Sequence, residues 1–202
     1  MTERIPSIAG VILAAGASSR MGQDKALLPW RGDTLLGAAI EMLKPVAEFW
    51  IVVAGANFKT VAPLVYARGG FIISNPQPDA GQFSSLRVGM QAVLNRGRDA
   101  AVIALVDRPP ALPATIEELH QAFIRALGND QWALVPEHAG QHGHPIFVGR
   151  EMIEAFLRAD PASTARDVEH AHLDRIAYHT VSDPSVIMNI NTPAEFNAIE
   201  GS

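Results

Sequence analysis

Short, almost wholly apolar runs, separated by segments of helical periodicity, constrain this chain most. Ile8–Leu13, Ile51–Ala54, Phe71–Ser74 and Ala100–Val106 have strand length and carry apolar residues at consecutive positions. Strands of that kind are buried on both faces, the condition of a parallel sheet covered by helices on each side. Helical spacing recurs between and after them, in Leu36, Ile40 and Leu43, in Leu86, Met90, Val93 and Leu94, and in Ile116, Leu119, Phe123 and Leu127. Pro113 suits the first turn of the last of these. The alternation predicts an α/β fold, a single Rossmann-like three-layer domain with a mostly parallel sheet. Ligands of such sheets bind at the carboxyl ends of the strands.

The first strand runs into a loop of small residues, Ala14-Ala15-Gly16-Ala17-Ser18-Ser19, followed by Arg20, Gly22 and Lys25. Small side chains let a ligand approach the backbone, and successive N–H groups in such a turn can form an anion-binding concavity. With two cations just beyond, the segment reads as a polyphosphate cradle; otherwise it is a tight turn whose charges face water. It is not a P-loop, because Gly16 and Gly22 are one residue too far apart and no Lys-Ser/Thr pair follows. No Gly-x-Gly-x-x-Gly fingerprint occurs in the chain, which removes the main support for a dinucleotide cofactor.

The net charge of −5, with no basic block, argues against duplex nucleic acid or an anionic membrane as a partner. The absence of cysteine excludes disulfides, thiolate metal sites and a thiol nucleophile. No apolar stretch approaches the roughly 20 residues needed to span a bilayer. The first residues do not resemble a signal peptide, so a cytoplasmic location is expected.

The final third is less regular. Trp132–Pro136 and Pro145–Val148 are expected as strands flanking a loop, Glu137–His144. Residues 150–158 and 164–171 are expected as helices, Ile176–Val181 as a strand and Pro193–Ile199 as a closing helix. There is no repeat, low-complexity tract or long linker, so residues 1–202 are read as one domain.

Asp107 follows the apolar run 100–106 and is stopped by Pro109 and Pro110, which puts it at the same sheet edge as the opening loop. There it would hold Mg²⁺ against phosphates or cap a turn. Asn191 precedes Thr192 and Pro193; Thr192 suits a helix N-cap, while the Asn191 side-chain oxygen could complete a magnesium shell. Asn75 and Gly81 flank a segment that ends in Ser84-Ser85, where a serine would either cap the next helix or read a nucleobase edge. His138, His142 and His144 form no His-Glu-x-x-His pair, and His170 and His172 cannot share a helix face.

Together these motifs resemble the molybdenum cofactor cytidylyltransferase branch of the nucleotidyltransferase superfamily, of the nucleotide-diphospho-sugar transferase fold type. Leu13-Ala14-Ala15-Gly16, Arg20-Met21-Gly22, Lys25 and Leu27-Leu28-Pro29 look like its nucleotide signature. Gly81 and Ser85-Leu86 resemble its base-proximal segment, Asp107-Arg108-Pro109 its Asp-x-Pro metal motif, Gly143-His144-Pro145 its Gly-His-Pro stretch, and Asn191-Thr192-Pro193 its C-terminal metal position. Ala15 before Gly16, where guanylyltransferases have Leu-Ala-Gly-Gly, favours cytidine. The His-Asp-Ala-Ala-Arg-Pro motif of methylerythritol phosphate cytidylyltransferases is absent.

The resemblance implies residues 1–130 as the nucleotide-binding part and 131–202 as the acceptor-binding part. It implies CTP and a phosphorylated acceptor, molybdopterin, as substrates, Mg²⁺ as cofactor, and transient contact with a molybdoenzyme or its chaperone. Lys25, Arg20 and Asp107 would be catalytic. Leu13, Ala14, Ala15, Gly16, Ala17, Ser18, Arg20, Lys25, Asn75, Gly81, Ser84 and Ser85 would bind the nucleotide. Asp107 and Asn191 would hold the metal, and His144 and Arg166 the acceptor. Two departures stand out: Asn189 and Asn191 replace customary aspartates, and Asp160–Arg166 replaces a Gly-Asp-x-Gly-x-Arg segment. They motivate an alternative of another phosphorylated acceptor, guanylyl transfer, or a non-catalytic protein that delivers a nucleotide or pterin.

Overall fold

The computed structural model describes residues 6–16 and 22–200. The first strand, β1 (Ile8–Ala14), is buried at every position, as its unbroken apolar run requires. A two-stranded hairpin, β2 (Pro29–Trp30) and β3 (Asp33–Thr34), stands apart from the main sheet. Then follow α1 (Leu35–Leu43), β4 (Phe49–Ala54), α2 (Phe58–Ala67), β5 (Phe71–Ser74), α3 (Gln82–Asn95) and β6 (Ala100–Leu105). The remainder comprises α4 (Pro113–Gly128), β7 (Ala133–His138), β8 (Gln141–His142), β9 (Ile146–Gly149), α5 (Arg150–Arg158), α6 (Ala165–Ala171), β10 (Ile176–Thr180) and α7 (Pro193–Glu200).

The main sheet runs β10-β7-β9-β6-β1-β4-β5, with β8 added to β7. Pairing is parallel throughout except around β9, which is antiparallel to β6 and β7, and at the β7–β8 hairpin. Alternate residues of each central strand feed two separate cores. Ile8 and Ile12 of β1 pack with Leu36, Ile40, Val65, Leu119 and Phe123 on one face. Ala9, Val11 and Leu13 pack with Leu86, Met90, Met152 and Phe156 on the other. The result is the expected α/β/α sandwich. Among the described residues, no helix is long and apolar enough to cross a membrane.

Two local expectations are corrected. Segment 137–144 is a β-hairpin, because β7 continues to His138 and β8 folds back with Glu137 opposite His142. Helix α2, absent from the sequence reading, carries Pro63 in its interior, the signal that argues against a helix. Burial of Val61 and Val65 against Ile12 and Val52 outweighs that preference.

Parallel registry gathers the loops that matter. Leu13 pairs with Val53 and Leu105, and Ala54 with Ser74, so the chain leaves β1, β4, β5 and β6 at one edge. Helix α3 packs close against one face of the sheet because residue 89 is glycine: a Cβ there would come 2.7 Å from Val11 Cγ1.

Candidate active site

At that edge, Leu13, Ala15, Gly16, Lys25, Gly81, Ser85 and Asp107 line one cleft of about 310 Å³. These are residues the sequence singled out, drawn from four separate segments. Ala17, Ser18 and Arg20 lie outside the described residues. Ala14 ends β1, and its carbonyl accepts a hydrogen bond from Asn57 Nδ2 at 3.0 Å.

Asn57 was not anticipated as important. Its Nδ2 also donates to Asp24 Oδ2 at 2.8 Å, while its Oδ1 accepts from Gly55 N at 3.1 Å. The other Asp24 oxygen caps the turn at Ala26 N, 3.0 Å away. Asn57 thus ties the start of the loop to its end and sets where Lys25 begins. Gly55 permits this close passage, since a Cβ there would lie 2.8 Å from the Ala15 carbonyl oxygen. The available signal is Asn57 two residues after Gly55, just past the end of β4; its partner Asp24 lies 33 residues away, beyond the reach of local pattern.

Lys25 Nζ stands 3.1 Å from Asn191 Oδ1 and 3.6 Å from Asp107 Oδ2. The lysine side chain is only 11% exposed, so the pairing is sheltered from bulk water. The backbone explains why Asn191 arrives here: Ile190 N donates to the Asp107 carbonyl at 2.7 Å. Glu195 then accepts from the Asn191 and Thr192 amides at 2.7 and 2.9 Å, while Thr192 Oγ1 accepts from Glu195 N. That is the reciprocal cap of α7 expected of Thr192. The Asn191 amide bond foremost holds the Glu195 carboxyl below its ordinary pKa.

Two oxygens, from Asp107 and Asn191, therefore converge on one cation. Hard oxygen donors of this kind suit Mg²⁺, provided that phosphates and water supply the rest of an octahedron. Among the described residues there is no group of three or more His, Cys, Asp or Glu able to hold an ion by themselves.

The serines are placed differently from a cap. Gly81, with φ 92°, precedes α3, so both serines fall inside the first turn and neither caps the helix. Asn75 is buried behind them, and its Nδ2 donates to Ser84 Oγ at 2.8 Å and Ser85 Oγ at 2.9 Å. Ser84 Oγ in turn donates toward the Gln77 and Gly81 carbonyls. Ser85 reaches the cleft wall; Asn75 and Ser84 are not part of it. Their network holds the wall's shape.

A second cavity of about 860 Å³ adjoins the first, sharing Leu13, Gly81 and Gln82 with it. It is here that His144 and Arg166 come together, with Arg108, His142, His170 and Tyr178. His144 is set by its neighbours: its N donates to Val186 O at 2.9 Å, and Gly143 passes so near that a Cβ would meet Val186 O at 2.4 Å. Burial, then the adjacent Arg108 charge, pushes the His144 pKa down to about 3, only partly offset by its hydrogen bond to the Ile103 backbone. Its imidazole is neutral near pH 7.

The family model for the MobA-like NTP transferase domain matches residues 10–176. The chain is 37% identical to a molybdenum cofactor guanylyltransferase of Xanthomonas euvesicatoria, over 94% of this chain and 93% of that one. It is 33% identical to a nicotine blue oxidoreductase of Paenarthrobacter nicotinovorans, over 79% and 77%. A molybdenum cofactor cytidylyltransferase of Escherichia coli is 27% identical over 92% of each. The crystal structure of Rv0371c from Mycobacterium tuberculosis superposes with a TM-score of 0.79 over 97% of this chain and 99% of that one, at 25% identity. With most of its length matched, including the strand, loop and cleft described above, the chain belongs to the MobA-like NTP transferase domain family.

Proposed function

We propose that this chain transfers CMP from CTP to the phosphomonoester of a molybdopterin and releases pyrophosphate. One observation carries the reading: Lys25, Asp107 and Asn191 converge beside the Ala15–Gly16 loop, in a cleft that opens onto a second cavity able to hold an acceptor.

An oxygen of the acceptor phosphate attacks the α-phosphorus in line, the bond from that phosphorus to the bridging oxygen breaks, and the electron pair leaves on pyrophosphate. The acceptor phosphate has a second pKa of about 6 and is already largely dianionic near pH 7, so no general base is required. Catalysis then consists of positioning and charge stabilisation. Lys25 draws the phosphates toward the loop, the backbone from Ala14 onward cradles them, and Arg20 adds a second cation. Asp107 and Asn191 would hold Mg²⁺, which supplies charge neutralisation on the triphosphate when bound. Ser85 lines the cleft where a base edge would be read, with Asn75 and Ser84 bracing it.

Cytidine is favoured by Ala15 in the first loop; the 37% identical guanylyltransferase favours GTP as the second reading. A pyrophosphate-release screen of the four nucleoside triphosphates with Mg²⁺ and molybdopterin tests both. Release with CTP above the others supports the proposal, and release with GTP alone transfers it to guanylyl transfer. Tight nucleotide or pterin binding with no release under any condition would instead establish a delivery protein.

A further inference from the structure

Asp107 and Arg108 are neighbours in sequence, yet they serve different cavities. Asp107 lines the nucleotide cleft, and Arg108 lines the larger adjoining one. Arg108 is half-buried, and its Nη1 donates to the Val186 carbonyl at 3.0 Å. Its Nε is buried without a partner. Nη2 has none among the described residues either, nor does the guanidinium form an ion pair there. The carboxylate next to it in sequence, Asp107, is engaged by Lys25.

The unused Nε and Nη2 groups form one edge of the guanidinium, the edge that binds a phosphate or carboxylate through two parallel hydrogen bonds. A partly buried cation in this state is incomplete, because its desolvation is only partly offset by the Asp107 charge and two of its donor groups have no acceptor. Arg166, the other guanidinium on the cavity, is exposed and has Glu169 and Asp167 of its own helix nearby to offset its charge. Arg108 has only the charge of Asp107 nearby, with which it forms no ion pair, and it lines the larger cavity next to the cleft that Asp107 lines.

We propose that Arg108 is the specificity-determining residue of the acceptor cavity, receiving the anionic phosphomonoester end of the acceptor on its free edge. The cavity that Arg108 lines shares Leu13, Gly81 and Gln82 with the cleft of Asp107 and Lys25, so a phosphate held by Arg108 would occupy the cavity next to the proposed nucleotide cleft. This rests on the reading of the two cavities as a nucleotidyl-transfer site. It adds that the acceptor must be phosphorylated to bind, and that Arg108 in preference to Arg166 enforces this.

The test is a calorimetric titration of the whole protein with molybdopterin, with its dephosphorylated form, and with CTP, in wild type, Arg108→Gln and Arg108→Lys. Wild type should bind the phosphorylated form at least tenfold more tightly than the dephosphorylated one. Arg108→Gln should lose that preference while its Kd for CTP and for the dephosphorylated pterin stays within twofold of wild type; Arg108→Lys should keep part of it. Where turnover is seen, the acceptor KM should rise and the nucleotide KM should not. If the wild type binds both forms within twofold, or if both variants keep the full preference, the assignment is overturned. Equal losses for CTP and acceptor would also overturn it, by making Arg108 a structural residue. Should Arg108→Gln fail to fold, Arg108→Lys and the wild-type comparison decide. These binding readouts need no turnover, so a protein that releases no pyrophosphate refutes the transfer reaction and leaves the role of Arg108 to be judged separately.

Discussion

The ammonium of Lys25 lies 3.1 Å from the side-chain oxygen of Asn191, a contact made across 166 positions of sequence. Asp107 shares the same ammonium at 3.6 Å, and in the proposed reaction this charge would meet the phosphate oxygens. Removing it by Lys25→Ala should cost on the order of 2–4 kcal/mol of transition-state stabilisation, as loss of one preorganised donor does elsewhere. Initial rates of pyrophosphate release measure this. A fall of less than tenfold in kcat/KM would reduce Lys25 to a structural cation.

Asp107 and Asn191 make a paired prediction. Asp107→Ala should abolish turnover, and its unfolding free energy should stay within about 1 kcal/mol of wild type, since the pair it breaks is only partly buried. Asn191→Asp should lower the Mg²⁺ concentration needed for half-maximal rate, because a carboxylate is the stronger ligand. An unchanged Mg²⁺ requirement would remove Asn191 from the metal shell.

Asn57→Ala removes the hydrogen bonds that join Ala14, Gly55 and Asp24. Leaving those partners unpaired should cost about 2 kcal/mol, read as a lower urea midpoint at constant slope. Nucleotide affinity should fall more than acceptor affinity, because only the loop before Lys25 is released.

The depressed His144 pKa has a stability consequence. The unfolded chain takes up a proton on this residue near pH 6.5, whereas the folded chain resists until about pH 3. Between those values the unfolded state binds more protons, so stability falls as the pH drops. At pH 5 the loss is about 2 kcal/mol by this linkage, relative to neutral pH. Denaturant unfolding at pH 7 and pH 5 should show a steeper loss in wild type than in His144→Gln. Equal slopes would mean that the imidazole can be protonated in place.

Strand burial explains why the fold was readable. The residues of β1 and β6 are apolar at every position, and consecutive apolarity is a local property that needs no knowledge of partners. Helix α2 escaped because Pro63 masks its periodicity, and burial of Val61 and Val65 is known only once β4 and β5 are in place. The hairpin of β7 and β8 escaped for a related reason: Gln141–His142 is two exposed residues long and has no hydrophobic pattern.

The candidate site divides along the same line. The small-residue loop, the acid after β6 and Gly143-His144-Pro145 carry their chemistry in adjacent positions, so the sequence by itself points to an α/β chain with Asp107 at the edge of the opening loop, and its family resemblance pairs Asp107 with Asn191. Neither shows that Lys25 meets both of them, singles out Asn57 or reveals that Asp107 and Arg108 face different cavities. Those relations depend on strand order and on backbone contacts such as Ile190 N to Asp107 O. Hydrophobic periodicity is written residue by residue. The meeting of one lysine with an amide at the far end of the chain exists only after the sheet has brought both to one edge.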